Sequence, residues 1–243
     1  MRALLSVIKA DDLAGLEKFL QNGVDIDSPI RYRSVAIPDI LQNGPSLICA
    51  AAYFSALKCF RYLFLNGADT LFVDDFQRKL VHFASAGGST EILEIISDNQ
   101  NIDFSAVDKE GNTPVHYAVM FNRTRMVYYL WAIHHVSLDI LNKRNMSPLH
   151  IAVTNEEIKM VKFLCENGCN INAKNDIGLT PLHIAACKPN IELINTLIQN
   201  GADVRIKDNT GCLPYHWAIL MKHQHIQNFL LESGSFQDTV VTR

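Results

Sequence analysis

The chain has 243 residues, 48% of them hydrophobic, and its 22 basic and 25 acidic residues leave a net charge of −3. That size allows one or two domains, and so even a charge balance gives no whole-molecule attraction to nucleic acid or to an anionic membrane. Six cysteines are scattered through a chain long enough to bury a core without staples, which excludes a disulfide-framed scaffold and leaves reduced thiols as the expectation.

At the N-terminus the apolar run Ala3 to Ile8 is broken by Ser6 and followed by Lys9, Asp11 and Asp12. A secretory leader needs a longer apolar core, and no stretch approaches the roughly 18 apolar residues of a spanning helix. The chain is therefore expected to be soluble and intracellular, in the cytoplasm with the nucleus left open. Residues 2–27 read as two short helices closed by Gly23. The next segment, residues 28–45 (SPIRYRSVAIPDILQNGP), carries Pro29, Pro38 and Pro45, which argue against a helix through it. It is expected to be an elongated finger, removable over residues 30–40 without loss of the fold, with Arg31, Tyr32 and Arg33 able to touch a ligand.

Beyond Pro45 the chain repeats itself. Thr180-Pro181-Leu182-His183-Ile184-Ala185-Ala186 and Ser147-Pro148-Leu149-His150-Ile151-Ala152-Val153 are the clearest copies. Thr113-Pro114-Val115-His116-Tyr117-Ala118, Leu213-Pro214-Tyr215-His216-Trp217-Ala218 and Lys79-Leu80-Val81-His82-Phe83-Ala84 follow the same plan, and Ser46-Leu47-Ile48-Cys49-Ala50-Ala51 is a worn copy. The copies start at 46, 79, 113, 147, 180 and 213, with spacings of 33, 34, 34, 33 and 33 residues. A glycine follows 21 residues after four of these starts, at Gly67, Gly168, Gly201 and Gly234, and the same offset back from Gly23 marks Arg2 as a degenerate first copy. The start at Arg2 lies 44 residues before Ser46, so about 11 residues are inserted within 28–45.

The segment 180–212 indicates how one unit is built. Thr180 is expected to cap the first helix by accepting an orphan N–H of its first turn, and Pro181 sits where a missing N–H costs nothing. Leu182, Ala185 and Ala186 form a buried stripe, and Lys188-Pro189-Asn190 ends that helix. A second helix carries Ile191, Leu193, Ile194, Leu197 and Ile198, and Gly201 suits the left-handed residue beyond it. Residues 202–212 then form a finger whose turn is shaped by Asp208 and Gly211, a role given also to Asp74 and Asp108. Helices of two or three turns are not stable alone, so each unit must lean on its neighbours.

This motif, at a period near 33 residues, resembles the ankyrin repeat family over nearly the whole chain, with departures at Cys49, where the family has His, and Lys79, where it has Thr. The resemblance implies an all-α fold: an ankyrin-repeat solenoid of about seven stacked helix-turn-helix repeats with β-hairpin-like fingers. The repeats would run about 2–27, 46–78, 79–112, 113–146, 147–179, 180–212 and 213–234, with an inserted loop at 28–45. A short C-terminal tail, 235–243, would lay Phe236 over the last repeat. It further implies a non-catalytic scaffold, adaptor or inhibitor that works as a monomer, holds a protein partner, and uses no cofactor, metal or small-molecule substrate.

The family's recognition surface is the finger tips and the exposed face of each first helix. Carried onto this sequence, the partner-binding candidates are Tyr53, Phe54, Phe76, Arg78, Met120, Phe121, Lys143, Arg144, Met146, Ile177, Leu179 and Lys188. The set is apolar for solvent-facing positions, and aromatic residues, Met and Arg are the types enriched at interface cores. Tyr53, Phe54, Phe76, Met120 and Phe121 are expected to anchor the partner, with Arg78, Lys143, Arg144 and Lys188 as charged neighbours. The alternative is a nucleic-acid-associated module using Lys143, Arg144, Lys174, Lys188 and Lys207.

No GxSxG, P-loop, GxGxxG or HExxH motif occurs. Five of the nine histidines, His82, His116, His150, His183 and His216, share one repeat position. Copies about 10 Å apart, the spacing of packed helices, are too distant to share a metal bound at about 2 Å, so these rings are expected to serve as structural hydrogen-bonding groups. His134 and His135 fall at a helix end, and His223 and His225 in a turn, where solvation is expected. Cys165 and Cys169 are four apart with no nearby His to complete a zinc set.

Overall fold

Each motif copy starts a helix in the structure, a computed structural model that describes residues 2–31, 37–99 and 102–235. The expectations for Tyr32, Arg33 and Phe236 lie outside these residues. Among the described residues fourteen α-helices come in seven pairs. The first four pairs are α1 (Arg2–Lys9) with α2 (Leu13–Gln21), α3 (Leu47–Tyr53) with α4 (Leu57–Leu65), α5 (Leu80–Gly87) with α6 (Thr90–Asn99), and α7 (Pro114–Met120) with α8 (Thr124–Ala132). The last three are α9 (Pro148–Thr154) with α10 (Ile158–Glu166), α11 (Pro181–Ala186) with α12 (Ile191–Gln199), and α13 (Pro214–Leu220) with α14 (Gln224–Leu230). There is no β-strand among the described residues.

The starts are set by a reciprocal cap, in which the hydroxyl faces the first-turn N–H as expected and the motif imidazole answers it. Thr180 holds an extended backbone (ψ 165°) before Pro181. Its hydroxyl lies 2.8 Å from Nδ1 of His183, and the same nitrogen accepts the Thr180 N–H at 3.1 Å. A nitrogen that accepts there is unprotonated, so the ring is the neutral tautomer with its proton on Nε2. That proton goes to the Cys212 carbonyl at 3.1 Å. His150 repeats the arrangement with Ser147 and the Leu179 carbonyl at 3.0 Å, and His82 reaches the Ala106 carbonyl at 3.1 Å. The imidazole thus ties a helix start to the base of the following finger.

Within a pair, the chain reverses through a left-handed residue at Asp11, Ser55, Gly88, Asn122, Glu156 and Lys222. Pro189 stands at the corresponding place in the sixth repeat, where a positive φ is barred. After α12 the chain leaves through Gly201 at φ 99°, as expected. Of the residues assigned to the α12 stripe, Leu193, Ile194 and Leu197 are buried but Ile191 is 44% exposed.

The contacts divide the chain into two units, Met1–Val136 and Ser137–Arg243. In the first, α1, α3, α5 and α7 pack in succession, and α2, α4, α6 and α8 do likewise. In the second, α9, α11 and α13 pack in succession, α10 packs on α12, and α14 lies against α13 and a π-helical turn, Leu231–Ser235. Alanines such as Ala50, Ala52, Ala84 and Ala86, all without exposed surface, set the close approach of the first helices.

Among the described residues the fingers close without strand pairing. In each, an Asp or Asn side chain accepts two backbone N–H groups of its own turn. Asp108 Oδ1 takes those of Glu110 at 2.8 Å and Asn112 at 2.7 Å. Asp74, Asn142, Asn175 and Asp208 act in the same way. Within each unit neighbouring tips are joined by backbone bonds, as from Lys109 N–H to the Phe76 carbonyl at 2.8 Å.

The described part of the insert, residues 28–31 and 37–45, packs inward where an elongated finger was expected. Ile30, Ile37, Ile40 and Leu41 are buried, at 8% exposure or less. Asp39–Leu41 forms a single 3-10 turn, and the Asn43 carbonyl accepts the Asp75 N–H at 3.0 Å. The segment therefore occupies the place of a first finger tip, with apolar side chains directed into unit one.

Candidate partner-binding site

In the first unit the site begins with one glycine. Gly87 ends α5 where α3 comes so near that a Cβ would stand 2.3 Å from the Ala52 carbonyl oxygen and 2.7 Å from that of Tyr53. With no side chain between them, Tyr53 of α3 and Phe121 after α7 meet edge to face across α5, their ring centroids 5.6 Å apart. Phe54 adds a third ring, 5.3 Å from Tyr53. Three of the expected anchors thus form one half-buried aromatic cluster.

Phe121 continues into an open cavity of about 610 Å³. Its walls come from three sources: the insert (Pro38, Asp39, Ile40, Asn43), the second and third finger tips (Phe76, Arg78, Asp108, Glu110, Asn112), and the α7 end (Tyr117, Met120, Phe121). Phe76 is 38% exposed and Met120 39% exposed, so both present apolar surface at the mouth.

Arg78 was expected at the surface as a charged contact. The structure places it in the wall, 5% exposed. Its guanidinium donates to Asp74 Oδ2 through Nε at 2.7 Å and to the Ile40 carbonyl at 2.8 Å, and it lies 5.4 Å from the Phe76 ring centroid and 5.1 Å from that of Phe83. An ion pair so held binds the insert to the second finger and shapes the cavity rather than reaching outward.

Tyr117 and the insert residues escaped the sequence reading. The Tyr117 hydroxyl donates to Asp108 Oδ2 at 2.7 Å. Burial and the neighbouring Asp108 carboxylate push that phenol well above its ordinary range, beyond any physiological titration. A signal existed: Trp217, at the same motif position, donates from Nε1 to Asp208 Oδ2 at 2.9 Å, and each acidic partner lies nine residues upstream. Burial pushes the Asp208 carboxyl up, but bonds from Thr210 and Trp217 outweigh it and hold the group far below the usual carboxylate range.

The second unit holds the remaining candidates. Lys143 and Arg144 are exposed at a finger tip, and Ile177 is 54% exposed on the next. Those tips are joined by the Asp176 N–H to the Arg144 carbonyl at 3.1 Å. Met146 is half-buried, its sulfur taking an Asn175 amide at 3.6 Å. Leu179 differs from expectation: it is 8% exposed, and its carbonyl is the acceptor for His150. Lys188 is half-buried, its Nζ 3.8 Å from Glu156. Lys174 donates to the Lys207 carbonyl at 2.8 Å. The basic set is therefore partly engaged within the chain.

Among the described residues no group of three or more His, Cys, Asp or Glu could hold a metal ion. His134, expected to be solvated, stacks on Phe104 with centroids 4.0 Å apart. All six cysteines are free, and burial pushes Cys49 and Cys59 to about 12, where a thiolate does not form near neutrality. Among the described residues no helix is long and apolar enough to cross a membrane.

The chain matches the family described as ankyrin repeats (3 copies) over residues 47–139, 81–175 and 169–240. It is 34% identical over 77 residues to an ankyrin repeat protein of Rickettsia bellii (strain RML369-C), a match covering 31% of this chain and 42% of that protein. The match thus spans under half the length of that relative. Among solved structures, the human ASB11 ankyrin repeat domain superposes with a TM-score of 0.70, covering 95% of this chain and 96% of that one at 21% identity. At that identity the likeness speaks for the fold alone.

Proposed function

The chain belongs to the ankyrin repeat family, and from that premise we propose that it is a non-catalytic scaffold, adaptor or inhibitor that holds a protein partner. Ankyrin repeats are in general protein–protein interaction modules. The partner is held through the finger tips and first-helix ends of the first unit.

One observation carries this reading. Phe76, Met120 and Phe121, the last packed edge to face on Tyr53, put aromatic and thioether surface around an open cavity of about 610 Å³, a size that takes large side chains of a partner. Apolar surface left open in this way marks an interaction site, and rings locked by packing lose little entropy on binding. The second unit's exposed Lys143, Arg144 and Ile177 supply a peripheral contact. Nucleic acid is the weaker alternative, because Lys174 and Lys188 already have acceptors in the chain.

The test is partner retention by Phe76→Ala/Phe121→Ala. A partner co-purified from the native cell should lose at least about tenfold in affinity, since two central aromatic anchors are typically worth more than about 1.4 kcal/mol together. The urea midpoint controls for folding. Unchanged affinity in a folded double variant would overturn the assignment.

A further inference from the structure

We infer that the cavity of the first unit takes an extended segment of the partner protein in which a large apolar side chain stands next to a lysine or arginine. This rests on the binding reading above and adds the chemistry of the occupant.

The charges around the cavity are unequal. Among the described residues, three carboxylates of the lining, Asp39, Asp108 and Glu110, face one cation, Arg78, while Asp74, Asp75, Arg31 and Lys109 flank the walls. Asp74 is ion-paired with Arg78 inside the wall, and Asp75 lies 3.5 Å from Arg31. Lys109 rests against the Phe76 ring, its Nζ 5.9 Å from the centroid. Asp39, Asp108 and Glu110 make no ion pair among the described residues.

These three carboxylates differ in what they can do. Asp108 is buried at 3% exposure and fully occupied by donors from Glu110, Asn112 and Tyr117, so it contributes field rather than contact. Asp39 and Glu110 are exposed, one on the insert wall and one on the finger wall. An incoming cation therefore meets a carboxylate on each of two walls, above a low-dielectric floor that strengthens the attraction. The ring of Phe121 adds a face that attracts a cation further. An acidic segment would meet the same field as repulsion, so the pattern selects by sign as well as by fit.

The apolar half of the occupant follows from the walls. Ile40, Met120 and Phe121 offer no hydrogen bond, and a polar side chain placed against them would lose its water without replacement. The insert supplies one whole wall, so the selectivity is a property of this chain's residues 38–43 and not of the repeat motif.

The experiment pans a phage-displayed random peptide library on the whole chain, then measures the selected peptide by fluorescence anisotropy against three proteins. These are the unaltered chain, Asp39→Asn/Glu110→Gln, which keeps shape and removes charge, and Phe76→Ala/Phe121→Ala. Selected peptides should pair Leu, Ile, Met or Phe with Lys or Arg. The neutralised variant should bind about fivefold more weakly, an effect that shrinks as salt is added. Peptides without basic residues, affinity indifferent to Asp39→Asn/Glu110→Gln, or no selected peptide at all would each overturn the inference. Peptides lost with the aromatic variant but indifferent to the charge variant would overturn only the charge assignment. Indifference to the aromatic variant would overturn the binding site itself.

Discussion

His183 joins three backbone or side-chain groups with two ring nitrogens, and that economy explains why the residue recurs. Nδ1 receives the Thr180 hydroxyl and N–H, and Nε2 gives its proton to Cys212. Replacing it with alanine strands a buried N–H and leaves the Cys212 carbonyl with only its bond from the Asp208 N–H, so His183→Ala should lower stability by about 1–3 kcal/mol. His216 is exposed, and its Nδ1 accepts the Leu213 N–H at 2.9 Å where water can substitute. His216→Ala should therefore cost well under half as much; equal losses in urea unfolding would refute this division of roles. Burial lowers His82, His150 and His183 below the ordinary 6.5, against the raising effect of their hydrogen bonds. They stay neutral in the fold while the unfolded chain takes up protons, so stability is present above 6.5 and is lost as pH falls below it. Each ring adds up to about 1.4 kcal/mol per pH unit to that slope. Urea midpoints measured from neutral to mildly acid pH should fall steadily, and His183→Ala should flatten the fall. The Asp–donor pairs belong to the same scale. Asp108 and Asp208 stand where Tyr117 and Trp217 can donate, whereas the repeats with Ile151 and Ile184 at that position carry Asn142 and Asn175. A carboxylate is kept where an extra donor can satisfy it, and an amide where none is offered.

Helix starts were legible in the sequence because extended Ser or Thr, Pro and His act within four residues of one another. What lay between the helices was less so. The reversals at Ser55, Glu156 and Lys222 put ordinary side chains in a left-handed conformation, which costs about 1 kcal/mol each and leaves no compositional mark. Neighbouring packing imposes that conformation, and a reading of local propensity does not see neighbours. Gly87 is the reverse case, a residue whose reason lies wholly in the adjoining helix. Gly87→Ala would drive a Cβ into the carbonyls of Ala52 and Tyr53, which are backbone atoms and cannot swing away. Overpacking of this kind costs about 1–3 kcal/mol, and against unyielding backbone it should exceed the roughly 1 kcal/mol that alanine normally gains over glycine in a helix. The variant should unfold at lower urea and should also weaken partner binding, because α3 and α7 carry Tyr53 and Phe121. A stabilised Gly87→Ala with unchanged near-ultraviolet circular dichroism would contradict this packing.

Across the whole molecule, the repeat phase alone was enough to bring Tyr53, Phe54 and Phe121 to corresponding helix ends, which is why the aromatic cluster could be named from spacing. Arg78 and Leu179 sit at equally regular finger positions, yet both turn inward, because Asp74 and the Ile40 carbonyl claim one and His150 claims the backbone of the other. Phase gives the position of a residue but not which neighbour has a free bonding group. The insert makes the same point more strongly, since no periodicity runs through residues 28–45 and its role is decided by what it covers. In a chain of short helix pairs, stability is close to a sum over neighbouring interfaces, so loss of cover at one place should act locally. Deleting residues 30–40 removes Ile30, Ile37 and Ile40 from the core, and fully buried side chains of that size contribute about 1.5–3 kcal/mol each. It also frees Arg78 from one of its acceptors. Hydrogen exchange should then show protection lost in α1–α4 by several orders of magnitude while α10–α12 stay protected. Retained protection in α1–α4 would mean that the insert is peripheral after all, and would remove one wall from the proposed binding cavity.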